Sequence, residues 1–65
     1  MKRYRLYGEF DGSPIAMQAK FSYELMSEMS RLQGIMTKSL WYAIYRSDRY
    51  GCETMLTSDV IIGHR

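Results

Sequence analysis

SYELMSEMSRLQGIMTK, residues Ser22–Lys38, is the stretch whose reading decides the fold. Leu25, Met29, Leu32 and Met36 fall at i, i+4, i+7 and i+11, which places all four on one stripe of a helix. No other long run of the chain carries a helical period, and segments with strand-like alternation lie on both sides of it. The stripe must be covered, and the flanking strands are the available cover. Ser22 is placed to act as the N-cap, with its hydroxyl taking an amide of the first turn. Phe21 stands where a hydrophobic staple onto Met26 would begin. Glu24 lies in the first turn, at the positive end of the helix dipole. Gly34 fits the position just past a helix end after Leu32-Gln33, with Ile35 folding back onto the last turn. That reading predicts about three turns and leaves Met36 in the exit loop. The competing reading keeps Gly34 inside a longer helix, at a cost of about 1 kcal/mol against alanine; the earlier stop is preferred. Ser27, Arg31 and Lys38 fall on the back of the helix, and Arg31 can pair with Glu28.

Upstream, Lys2–Phe10 reads as a first strand. Tyr4, Leu6 and Phe10 share one face, and Arg3, Arg5, Tyr7 and Glu9 share the other. Asp11-Gly12-Ser13-Pro14 is a dense turn signal. Ile15–Phe21 alternates again, with Ile15, Met17, Ala19 and Phe21 against Ala16, Gln18 and Lys20, so the two runs form a hairpin. Downstream, Leu40–Arg46 is aromatic and β-rich and reads as a third strand. Leu40, Tyr42 and Ile44 take one face, and Trp41, Ala43 and Tyr45 the other. Ser47–Gly51 is a loop of hairpin length, and Cys52–Thr57 reads as a fourth strand. Thr57-Ser58-Asp59 reads as a turn or a bulge, which leaves Val60–Ile62 either a fifth strand or the end of the fourth.

These elements predict an α+β fold: a small antiparallel sheet, built from a β-hairpin, one main helix and two or three further strands, with the helix packed on one face. The stripe would face Leu6, Phe10, Ile15, Met17, Phe21, Tyr42 and Ile44. Residues 1–65 make a single compact domain on this reading, and such a short chain buries only about 60% of the surface its unfolded form exposes. Small domains offset a thin core with disulfides, metals or oligomerisation. Cys52 is the only cysteine, so an internal disulfide is excluded. Cys52 and His64 are two ligands where a structural zinc needs about four. No metal or cofactor is expected, and oligomerisation, as a homodimer, is the remaining route.

Nine Lys and Arg against seven Asp and Glu give a net charge of +2, which permits an anionic partner without demanding one. The basic N-terminal stretch is followed by no apolar run, and the lone thiol suits a reducing compartment, so a cytoplasmic protein is expected. No stretch approaches the ~20 apolar residues of a membrane span.

The sheet face that the helix leaves open is the informative surface. It carries Arg3, Arg5 and Tyr7 from the first strand, Gln18 and Lys20 from the second, and Trp41 and Tyr45 from the third. Arg3, Arg5, Tyr7, Lys20, Trp41 and Tyr45 are therefore the candidate binding residues. Trp, Tyr and Arg are the types most enriched at the energetic centres of protein interfaces. The same mixture can stack bases and neutralise phosphates, although no Gly-aromatic motif of an RNA-binding sheet is present. The plainest reading lets Trp41 and Tyr45 complete the core.

Enzyme chemistry is not indicated. His64 is penultimate and has no fixed partner in view. Cys52 beside Glu53 reads as an inert, buried thiol. Glu24 and Glu28 lie on a solvated helix flank, and neither a glycine-rich phosphate loop nor a nucleophile elbow occurs. The expected function is a small non-enzymatic binding protein acting through a protein–protein interface. It would occlude or bridge a larger host protein, in the manner of viral or mobile-element accessory and inhibitory proteins. The alternative is a nucleic-acid-binding domain that uses the basic and aromatic sheet face.

Overall fold

Asp11 and Gly12 both adopt positive φ, 51° and 86°, and this pair of left-handed residues closes the first hairpin as a tight two-residue turn. The computed structural model describes residues 3–63. In it β1 (Tyr4–Phe10) and β2 (Ser13–Ala19) pair from Phe10↔Ser13 to Tyr4↔Ala19. The turn is thus shorter than the four residues expected. Asp-Gly is the dipeptide such a turn demands, so Ser13 and Pro14 are released into β2. Pro14 is tolerated because β2 is an edge strand, where a missing amide breaks no ladder.

Helix α1 spans Ser22–Ile35 and is followed by β3 (Ser39–Ser47) and β4 (Glu53–Ile62). The sheet has four strands in the order β2-β1-β3-β4, all antiparallel, with the single helix on one face. The α+β architecture expected from the alternation is therefore the observed one. Leu25, Met29 and Leu32 are buried against Leu6, Ala19, Leu40, Tyr42 and Ile44. Phe10, Ile15, Met17 and Met36 pack around them, half-buried.

Several local expectations are corrected. The helix runs through Gly34 to Ile35, and Met36, as C-cap, still packs on the core. Gly34 faces open space, so its cost of about 1 kcal/mol in helix propensity is outweighed by continuing the buried stripe to its last residue. The N-cap is Phe21 and no side chain caps the helix, so Ser22 is its first residue instead. Phe21 is exposed and stacks on Tyr23, with ring centroids 5.6 Å apart, and it is not among the side chains packed on the buried stripe. Lys38 lies beyond the helix, on the approach to β3. Arg31 does pair with Glu28, its Nε donating at 2.8 Å.

β4 is one strand of ten residues, so Val60–Ile62 is its end and not a separate element. A bulge falls at Leu56, between the pairs Ile44↔Thr57 and Tyr45↔Met55, one residue before the expected irregularity. Cys52 is exposed, not buried. His64 lies outside the described residues.

Asp11 ties the two halves of the fold together. Its carboxylate accepts hydrogen bonds from the backbone amides of Thr37 (3.1 Å), Lys38 (2.8 Å) and Ser39 (3.2 Å), and from the Thr37 hydroxyl (3.0 Å). Its own amide donates to the Ser39 carbonyl at 2.7 Å. The Lys38 amide, before the other donors, holds the Asp11 carboxyl below the usual carboxylate range, against an opposing push from desolvation. The hairpin turn thereby fixes the segment that leads from the helix into β3, and with it the register of Leu40, Trp41 and Tyr42.

Candidate interaction surface

The open face is built in rows, because antiparallel partners share a face. One row runs Gln18, Arg5, Tyr45, Met55 across β2, β1, β3 and β4. The next runs Ala16, Tyr7, Ala43, Ser58, and the third Pro14, Glu9, Trp41, Val60. Ile62 opposite Ser39 extends the last edge. Tyr7 meets Tyr45 edge-on, with ring centroids 5.9 Å apart and planes at 62°. Ala43, between Tyr7 and Ser58 and two residues from both Trp41 and Tyr45, is buried although no helix covers it. The result is a small floor ringed by two tyrosines and a tryptophan.

Of the residues singled out in the sequence, Arg3, Arg5, Tyr7, Trp41 and Tyr45 lie on this face by strand alternation. Trp41 and Tyr7 are each 41% exposed, so they do not complete the core. Lys20 lies just past β2, in a shallow cleft with Arg3, Tyr4 and Phe21, at the margin of the face.

Two groups were not singled out. Met55, Val60 and Ile62 extend the aromatic strip onto β4 and are all exposed. Val60 and Ile62 keep a period of two, but Met55 is five residues before Val60 and reaches the same face only because the bulge at Leu56 shifts the parity, which the sequence does not display. Arg46 and Arg49 join Arg3 in an open cleft of about 650 Å³ at the β3–β4 end of the sheet. Asp48 lines the same cleft, and its carboxylate accepts the Tyr50 and Cys52 amides at 2.8 and 3.0 Å. No sequence-local signal links Arg3 to Arg46, because the strand register alone brings them to one end.

Positive charge predominates at one end of the strands: Arg3, Arg5, Lys20, Arg46 and Arg49 gather where β1 begins and β3 ends, with Asp48 and Glu53 among them, while Glu9, Asp11 and Asp59 lie toward the opposite end with Lys38. Among the described residues the one ion pair is Arg31 with Glu28, on the helix. On the helix side, burial and then the Asp59 carboxylate push the Tyr42 phenol up. Among the described residues no three His, Cys, Asp or Glu side chains are grouped to hold a metal ion, and no helix is long and apolar enough to cross a membrane.

Comparison with protein-family models, with curated proteins and with solved structures finds no match to this chain. The reading of the surface therefore rests on its geometry.

Proposed function

We propose that the chain is a non-enzymatic binding protein that docks the open face of its sheet on another protein. One observation carries this: the described residues expose eleven large hydrophobic side chains and bury only nine hydrophobic residues. Five of the eleven, Tyr7, Trp41, Met55, Val60 and Ile62, share the open face. Solvent does not favour such a strip, and a partner that covers it recovers the apolar burial the small core lacks. The Tyr-Trp-Tyr ring around Ala43 is the kind of rigid aromatic anchor that dominates interface energetics, and Arg3 and Arg5 supply a polar rim. An interface of standard size takes about 800 Å² per partner, roughly a sixth of the 4815 Å² surface. The action that suits these proportions is occlusion of a site on a larger cytoplasmic protein, as accessory or inhibitory proteins of viruses and mobile elements do to host proteins.

Affinity isolation with the wild-type chain and with Trp41→Ala is the test. The expected outcome is one partner retained by wild type and by Arg31→Ala on the helix back, with Trp41→Ala binding at least about 30-fold more weakly. A partner held equally well by Trp41→Ala would overturn the reading.

A second reading, nucleic acid, is favoured by the cations gathered at the Arg3 end. Its signature is binding of single-stranded oligonucleotide that falls steeply with salt, with a slope that flattens when Arg3 and Arg46 are replaced together.

A further inference from the structure

The β4 edge supports a more specific inference, independent of which partner the open face takes. The Gly63 amide donates to the Lys38 carbonyl, and ladder alternation from there assigns the backbone groups of Ile61 and Asp59 to β3. Those of Ser58, Val60 and Ile62 therefore point away from the sheet. A further Cβ at Gly63 would stand 2.9 Å from the Thr37 carbonyl oxygen, so this end of β4 is held close against the approach to β3. Between the bulge at Leu56 and Ile62 the edge is regular. It contains no lysine and no proline, the residues that ordinarily block edge pairing. No residue of β4 is buried, and Val60 and Ile62 are 69% and 66% exposed. The one protective device here is the Asp59 carboxylate, which accepts the outward Val60 amide at 2.8 Å.

We propose that β4 pairs antiparallel with β4 of a second copy about a two-fold axis at Val60, giving a continuous eight-stranded sheet. The occupant is a second copy because this segment is complementary to itself. Ser58 lies opposite Ile62 of the other copy, Val60 opposite its counterpart, and Asp59 opposite Ile61. Each outward pair exchanges two backbone hydrogen bonds, the Val60 amide leaving the Asp59 carboxylate to do so; no like charges lie directly opposite, and the two Asp59 carboxylates, diagonal across the axis, are the one like-charge approach in the pairing. The other edge of the sheet, β2, carries Pro14, so the pairing closes at two copies and does not propagate into a fibre.

Sedimentation equilibrium of the wild type, Val60→Pro, Val60→Lys and Trp41→Ala tests the pairing, with amide exchange read at Ser58 and Ile62. Proline at 60 removes an outward amide and leaves the β3 ladder intact. Lysine keeps the backbone and sets two charges face to face, so the test survives if the proline variant misfolds. The expected result is a wild-type mass twice the 7.7 kDa of the chain, slow exchange at Ser58 and Ile62, and monomers for both Val60 variants. Trp41→Ala stays dimeric even where it loses an open-face partner, so the two readings fail separately. A wild type monomeric at ~1 mM, weaker than any useful affinity, overturns the pairing. So does a dimer that survives both Val60 variants, or protection at Ser58 and Ile62 that appears only when a different protein is added.

Discussion

Asp11 shows how much one side chain can organise in a small sheet. Aspartate tolerates the left-handed backbone its turn position needs, and the same residue then accepts amides from 37, 38 and 39, across 26 to 28 residues of sequence. Asp11→Ala keeps neither the acceptor nor the ease of positive φ, and it should lower Tm by on the order of 10 °C for a chain this short. The pH dependence follows from the depressed folded-state carboxyl. Stability from Asp11 is fully present above its unfolded value of about 3.9 and is lost as pH falls through the lower folded value. Urea denaturation at neutral pH and near pH 3 should therefore show wild type losing more stability than Asp11→Asn, which cannot titrate. Gly8 is constrained differently. A Cβ there would stand 2.8 Å from the Tyr42 Cα and closer still to the Trp41 carbonyl oxygen. Gly8→Ala must push β1 from β3 beneath the aromatic ring, and a loss of about 3 kcal/mol in denaturant titration is expected.

At the scale of elements, legibility tracks how local each signal is. The stripe Leu25, Met29, Leu32 and the alternation of Tyr4, Leu6 and Phe10 are periods within one element, and each led to the correct face. The hidden features depend on partners distant in sequence. Where α1 ends was decided between a propensity cost of about 1 kcal/mol at Gly34 and the packing of Met36, and the sequence displays only the first of these. The continuity of β4 depends on β3 supplying partners through Ser58 and Asp59, two residues that read as a turn when taken alone. The open-face set was legible because strand parity alone assigns it, whereas the Arg3–Arg46–Arg49 cleft needed the register between strands. The helix yields its own prediction. Gly34 lies in the last turn with nothing within 4 Å of an added Cβ, so Gly34→Ala should stabilise the fold by about 1 kcal/mol. Thermal unfolding checks it, and an unchanged or lower Tm would show that α1 does not extend through Gly34 in solution.

For the molecule as a whole, the question is what stabilises a sheet whose fourth strand adds no buried residue. Helix α1 covers Leu6, Leu40 and Ile44, while β4 holds its ten residues mainly by its backbone ladder to β3. A strand paired on one side, with only Ile61 half-buried against the core, lies at the low end of local stability. Pairing β4 with its counterpart supplies the missing ladder and shields Val60 and Ile62, so folding and association become linked. Mass action then sets the outcome: for unfolding of a dimer to two chains, each tenfold rise in protein concentration adds about 1.4 kcal/mol per dimer. With a urea slope of about 1.5–2 kcal/mol per molar for the pair, the wild-type midpoint should rise by roughly 0.7–0.9 M urea per decade of concentration. Val60→Lys, unable to pair, should unfold at a lower midpoint that does not move with concentration. Urea titrations of both proteins at micromolar and at tenfold higher concentration separate the cases, because a wild-type midpoint as fixed as that of Val60→Lys would mean that β4 is stable unpaired.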